Sequence, residues 1–422
     1  MNPGWNIGGA SRRPGGKAMR RVVITGIGLH TPLGNTLDEV KARYIRGESA
    51  VRPHPSSTAE RPRVASFLDD DLAAGFPGGI VKTVDRMTLM ALRATDNLMQ
   101  DAQLAAGGFD AKRIGTFVGQ GQGPSDTMHS SHESLFRKDH LGAMTVLKML
   151  PNGPASNISM RYGLKGECAT HSVACASAAA AMGHALRSIR HGYLDMAVAG
   201  GVEAPLGESA IRAWEAMRIM ARIDPANPAA SCRPFAKTRS GIVLGEGAVF
   251  YLLEEEAHAK ARGAKIYATI AGYGLSADAS HITLPSQEGQ MSAMHAAFED
   301  AGMAPADIGY INAHGTATGQ GDAVETRSMR GVFGQRAELT PVSSTKAFHG
   351  HLLGGSASIE MLAALVALQD GVLAPTLNLD EPDPECDLDY VANEHRAGAP
   401  LEAVMNNNFA FGGSNASFIL VH

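Results

Sequence analysis

The chain has 422 residues, 44% hydrophobic and 19% charged, with a net charge of −5, a balance that describes a soluble globular protein long enough for two large cores or one doubled unit. The negative charge, with no dense Lys/Arg tract, argues against a nucleic-acid binder, and the absence of any apolar run of eighteen residues excludes a helical membrane span. Four cysteines without CxxC or CxxH spacing give neither a disulfide framework nor a zinc motif and point to a reducing, cytoplasmic setting.

Residues 1–18 (MNPGWNIGGASRRPGGKA) lack the apolar segment of a signal peptide and read as a flexible leader. Residues 21–29 (RVVITGIGL) read as a first buried strand, and 36–46 as a helix with Asn35 as its N-cap. After a Pro-rich loop, 85–105 reads as helix and 114–119 (IGTFVG) as a short strand, followed by a flexible QGQGPSD. The stretch 170–190 (THSVACASAAAAMGHALRSIR) organises the rest. It reads as a buried strand running through Ser172, Val173 and Ala174, a tight turn carrying Cys175, and a helix whose small residues let it pack deeply. At the positive end of that helix a cysteine is favoured as thiolate, although most free cysteines are simply small buried residues. Strands at 193–202 and 247–254 and a helical EEEAHAKARGA complete this pass. A second pass repeats the order: strand 265–276, helix 290–301, strand 308–313, helix 355–369, and strands near 388–392 and 416–421. Alternating strands and helices predict an α/β layered fold. The repetition predicts a duplicated unit with halves 19–262 and 263–422.

Three glycine-rich segments of the second half hold unusual polar residues. His314 lies in NAHGTATGQGDAVE (312–325) at a predicted strand end, where α/β proteins place function. Lys346, His349 and His351 lie in SSTKAFHGHLLGGSASIE (343–360), ahead of a helix carrying Glu360. The two histidines are not accompanied by HExxH or by a carboxylate at ligand spacing, so no metal site is expected. The third segment is NNNFAFGGSN (406–415), where Phe411 runs into a Gly-Gly turn that would let it swing. The glycines near Gly26 and at 119–123 do not complete a dinucleotide fingerprint.

A cysteine after a strand, then HGT, KxxxxGH and FGGSN in that order, resembles the β-ketoacyl-acyl carrier protein synthases, specifically the elongating type II, Cys-His-His class with the thiolase-like fold. The resemblance runs from about Arg20 to the C-terminus and includes ITGIGLHTPLG, CRPF (232–235) and LGEGA (244–248). It implies duplicated α-β-α-β-α layers and an acyltransferase of fatty-acid or polyketide-like biosynthesis. No cofactor is implied, and the partners are an acyl- or malonyl-loaded carrier protein and a second subunit, identical or related. Cys175 corresponds to the nucleophile, His314 and His351 to the catalytic histidines, Lys346 to the family lysine, Glu360 to its ion-pair partner and Phe411 to a gating residue. Thr316 and Thr318 correspond to contacts of the pantetheine arm, Phe409 and Gly412 to further substrate-binding positions, and Asp278 and Asp322 to loop-ordering acids. The implied chemistry is acylation of Cys175, decarboxylation of a malonyl thioester with both histidines donating to the enolate, and condensation that lengthens the chain by two carbons. Backbone N–H groups of Cys175 and Phe411 are the expected oxyanion donors.

The chain departs from the family at several positions. His349-Gly350-His351 replaces Thr-Gly-His and adds a titratable group, and Ser177 with the alanines after it replaces Thr/Ser-Gly. Gln122 falls where long-chain enzymes carry an apolar pocket residue, and an unpaired amide against an alkyl tail costs roughly 1–3 kcal/mol. Short, unsaturated or aryl-bearing chains are thereby left open, as in a specialised-pathway condensing enzyme for aryl polyenes or unusual lipids. Lys82, Arg218 and Arg222 are candidate anchors for an acidic carrier. A catalytically silent chain-length subunit would have lost the nucleophile, and a thiolase would carry a second cysteine near FAFGGSN; neither fits.

Overall fold

A computed structural model describes residues 19–104, 109–398 and 400–422; the leader expected at 1–18 lies outside them. Ten strands form the main sheet: β1 (Val22–His30), β2 (Ile114–Gly119), β3 (Cys168–His171), β4 (Met196–Glu203), β5 (Gly247–Glu255), β6 (Ala268–Ala277), β7 (Tyr310–Asn312), β8 (Val342–Ser343), β9 (Ala403–Phe409) and β10 (Ser414–Val421). Their spatial order is β8-β7-β9-β10-β6-β1-β5-β4-β2-β3. Strands of the first half therefore occupy one side and strands of the second half the other. Within the sheet the two blocks join where Val23 and Ile24 pair with Thr269 and Ala268.

Eight helices matter for the site: α1 (Leu37–Arg46), α2 (Arg86–Asp101), α3 (Ser125–Lys138), α4 (Ser177–Arg190), α5 (Glu208–Ala216), α6 (Gln287–Ala301), α7 (Gly319–Phe333) and α8 (Ser356–Asp370). Helix α4 packs on β2 and β4, α8 packs on β9 and β7, and the two touch each other. Helices α2 and α6 cover the outer faces of β1 and β6. The result is the layered α-β-α-β-α arrangement. Helix α8 reads SASIEMLAALVALQD and is buried from Ser356 to Leu368, which fits a central helix rather than an amphipathic surface one. Helix α4 lies close against the sheet because the facing residues are small: a Cβ added at Gly119 of β2 would sit 2.2 Å from the backbone N of Ala178.

Several sequence expectations are corrected. The cap of α1 is Thr36, whose side chain accepts from the Glu39 N–H while Glu39 reaches back; Asn35 instead bonds His30 Nδ1 at 2.9 Å. The strand before Cys175 ends at His171 and is a half-exposed edge strand, hydrogen-bonded on one side to β2. No strand forms at 388–392, because Val391 and Asn393 adopt left-handed backbone (φ 46° and 57°); the strand is β9, further on. The segment QGQGPSD is held by the Glu203 carboxylate, which accepts from the N–H groups of Gly121 at 2.6 Å and Gln122 at 3.2 Å before α3 begins at Ser125.

Candidate active site

Cys175 lies in the turn between β3 and α4, after Ala174, which holds a left-handed φ of 49°. Non-glycine residues adopt this conformation at a cost, and it concentrates at functional turns. The Cys175 Sγ is 3.1 Å from His351 Nε2. His351 Nδ1 is 2.7 Å from Ser356 Oγ at the start of α8. The backbone that delivers His351 turns at Gly350 (φ 66°), where a Cβ would stand 2.7 Å from the Leu244 carbonyl; glycine alone fits there.

His314 follows β7. Its backbone N–H and that of Gly315 both donate to the Glu325 carboxylate at 2.7 Å. Its ring stands edge-on to His351 with centroids 5.4 Å apart. Lys346 Nζ lies 3.2 Å from His314 Nδ1 and also donates to the His314 carbonyl and to Glu360. Three ammonium hydrogens thus meet three acceptors. Because an ammonium cannot accept, His314 Nδ1 must be the bare nitrogen and Nε2 carries the proton. Asn408 donates to the second oxygen of Glu360 at 2.6 Å. Lys346 and Glu360 have 1% and 0% of their side chains exposed, so each depends on the other.

Burial governs the titration of the site. It pushes the Cys175 thiol up to about 12, against the opposing pull of Lys346 and the Phe411 backbone N–H. The helix terminus therefore does not yield a resting thiolate; the thiol donates to His351. Burial and then Lys346 hold both His314 and His351 well below the usual histidine range. Burial raises Glu325 to about 8 and Glu203 to about 7, each opposed by backbone N–H donors, and it raises Glu360 against Lys346. His349, expected to be a titratable neighbour, is fully buried and pushed down to about 3. It spans Thr345 Oγ1 at 3.0 Å and the Gly350 carbonyl at 2.7 Å.

Cys175, His314 and His351 open into a cavity of about 440 Å³ that Thr316, Thr318, Asp278, Phe409 and Phe411 also line. Trp214 of α5, unmarked in the sequence reading, forms a wall of it and stacks on Phe411 (centroids 6.4 Å, planes 25° apart). Asp278 accepts from Asn415 Nδ2 at 2.7 Å and from the Ser286 N–H at 3.1 Å, tying two loops at the mouth. Asp322 is fully buried and accepts from the Phe235 N–H at 2.8 Å. Gly412 is not in the cavity wall; its N–H donates to the Ile282 carbonyl at 2.7 Å. Gln122 is not in the wall either: its backbone N–H serves Glu203 and its side-chain Oε1 is buried without a partner. Lys82, Arg218 and Arg222 are exposed, and Arg218 sits between Met217 and Ile219, two residues of the cavity wall.

The donor atoms of Cys175, His314 and His351 lie within 4.8 Å of one another, a spacing a metal ion could exploit. The Lys346 ammonium against His314 disfavours a second cation there, and the set reads as a nucleophile with two histidines.

Residues 19–259 match the family described as beta-ketoacyl synthase, N-terminal domain, and 267–380 match beta-ketoacyl synthase, C-terminal domain. The chain belongs to the beta-ketoacyl synthases. It is 40% identical over 403 residues to nodulation protein E of Rhizobium sp. (strain N33), covering 94% of this chain and 98% of the relative. It is 36% identical over 410 residues to 3-oxoacyl-[acyl-carrier-protein] synthase 2 of Staphylococcus aureus (strain N315), covering 95% and 98%. Among solved structures it is similar, at 28% identity and a TM-score of 0.88, to the ketosynthase of a type II PKS, in a complex with its acyl-carrier protein and bound to the hexaketide, with 96% of this chain and 99% of that chain covered. This beta-ketoacyl synthase is an acyltransferase with the thiolase-like fold.

Proposed function

We propose that the chain condenses an acyl group held on Cys175 with a malonyl group delivered on an acyl carrier protein, lengthening a fatty-acid-like or polyketide-like chain by two carbons. The observation that carries this reading is the thiol 3.1 Å from His351 Nε2, with His314 locked beside it as an Nε2–H donor. In acylation, His351 takes the Cys175 proton as sulfur attacks the thioester carbonyl, and the proton then passes to the departing carrier thiolate. The backbone N–H groups of Cys175 and Phe411 stabilise the oxyanion. In the second half-reaction the malonyl C–C bond breaks and carbon dioxide leaves. His314 and His351 donate to the enolate oxygen, and the new carbanion attacks the acyl thioester, displacing the Cys175 sulfur.

The carrier docks beside Arg218 and Arg222, with Lys82 as a further anchor; the position of Arg218 at the cavity rim supports this. A second subunit covers the free edge of β3 and the apolar side chains of 125–150, where Phe136 is 85% and Val146 69% exposed. The halves 19–262 and 263–422 are two units of one duplicated fold, which the two blocks of strands support. The four cysteines stand unpaired, which suits the cytoplasm.

A specialised pathway acting on unsaturated or aryl-bearing chains is the second reading, favoured by the Trp214–Phe411 wall. Intact mass after incubation with a panel of acyl-carrier thioesters, beside Cys175→Ala, tests both readings. A mass gain on the unaltered chain alone supports condensation, and the chain class that loads separates the pathways. No gain with any donor on folded protein would sink the proposal.

A further inference from the structure

Glu203 closes strand β4 and is fully buried. Its carboxylate meets backbone N–H groups from two segments far apart in sequence. Oε2 accepts from Gly121 at 2.6 Å and from Gly354 at 2.9 Å, and Oε1 accepts from Gln122 at 3.2 Å. Glu360, Glu246 and Glu254 are buried against the cations of Lys346, Arg86 and Arg262; what opposes the burial of Glu203 is backbone N–H donors. An interior carboxylate is costly unless such donors satisfy it, so the carboxylate and the two segments hold one another in place. The fit is close: a Cβ at Gly354 would stand 2.1 Å from the backbone N of Gly121.

Gly354 lies in the short turn Leu353–Gly355 that joins His351 to Ser356, the residue on its Nδ1. His351 is already fixed on its other side. Its N–H donates to the Val243 carbonyl at 2.6 Å, and its carbonyl accepts from the Gly245 N–H at 3.0 Å. Glu203 anchors the side that leads to Ser356, much as Glu325 anchors the backbone of His314. We propose that Glu203 is a positioning residue for His351: by holding the Gly354 N–H it fixes the turn that sets the Ser356 hydroxyl against the ring, and so keeps Nε2 aimed at the Cys175 thiol. The inference rests on the condensing-enzyme reading and deepens it. Glu203 does not line the catalytic cavity, so it reaches the reaction through His351. A misplacement of about 1 Å in such a group can slow a reaction about 100-fold.

Glu203→Gln keeps the side-chain length and one acceptor oxygen, whereas Glu203→Asp keeps the charge but falls one methylene short of Gly354. Each is made alone and together with Ser356→Ala, with folding read by Tm. Two rates are measured: acyl loading of Cys175 from a straight-chain acyl-carrier thioester at increasing concentration, and alkylation of Cys175 by iodoacetamide. Alkylation needs the same proton removal but no carrier, and peptide masses separate it from alkylation of the exposed Cys168, an internal control. In Glu203→Asp the saturating loading rate and the Cys175 alkylation rate fall by at least about tenfold, while the half-saturating thioester concentration stays within about threefold and Cys168 is unaffected. Glu203→Gln loses less. Because Glu203 and Ser356 act on one ring, the further loss in the Ser356→Ala background is no more than about twofold. Undiminished Cys175 rates in a folded variant overturn the proposal, as does the full loss repeated in the Ser356→Ala background. If no thioester loads the unaltered chain, the condensing-enzyme reading falls, and the iodoacetamide rates still decide the role of Glu203.

Discussion

Replacing His349 tests how far burial rules this site. The side chain is fully buried between Thr345 Oγ1 and the Gly350 carbonyl, and burial pushes it down to about 3. Unfolded, it titrates near the ordinary value of about 6.5. The unfolded chain therefore binds a proton that the folded chain refuses. The stability this residue supports is full above about pH 6.5 and drains away at about 1.4 kcal/mol per unit as pH falls toward 3. At pH 5 the loss is about 2 kcal/mol. His349→Gln keeps one donor and one acceptor but cannot be protonated. At pH 7 the variant is less stable by about 1–2 kcal/mol, from imperfect hydrogen bonding and packing; by pH 5 that deficit closes or reverses. Urea denaturation of both proteins at pH 7, 6 and 5 measures the difference. Stability curves that stay parallel across that range would refute the assignment of His349 as a buried neutral histidine.

Three further outcomes follow from the same geometry. Lys346→Met removes the group that fixes the His314 tautomer; malonyl decarboxylation falls by about 100-fold or more while acyl loading of Cys175 stays within about tenfold, and equal losses in single-turnover assays of the two half-reactions would contradict the division of roles. Ser356→Ala removes the only hydroxyl seen on His351 Nδ1 and slows acylation by on the order of tenfold, read as the rate of mass gain, with little change in Tm. A chelator leaves activity unchanged; a chelator that abolishes activity would show that Cys175, His314 and His351 hold a working metal.

The residues gathered at the site were legible because each sits in a short contiguous motif: Cys175, His314, Lys346, His351, Glu360 and Phe411. The residues that hold them were not, because they act across the fold on groups far away in sequence. Glu325 grips the backbone N–H of His314 from one turn of α7, and Glu203 grips the loop at Gly121 from the end of β4. Strand β9 was hidden for a related reason. Three consecutive asparagines argue against a strand, yet alternation sends Asn408 to Glu360, Asn406 to the Asn312 amide and Asn407 to Ser417 on the opposite face. Their strand pairing is stable because each buried amide has a partner supplied by another element. The stretch at 388–392 (LDYVA) looked more like a strand and is not one.

The two histidines differ chiefly in what stands behind them, and that difference fits the separate roles proposed for them. A serine hydroxyl can accept or donate, so Ser356 lets His351 hold its proton on Nδ1 while Nε2 accepts from the Cys175 thiol, or on Nε2 once an enolate must be stabilised. An ammonium can only donate, so Lys346 confines His314 to the Nε2–H form throughout. Acylation needs one base and decarboxylation needs two donors. A partner that both accepts and donates behind one ring and a donor-only partner behind the other suit both demands, with His351 charged only while it holds the Cys175 proton.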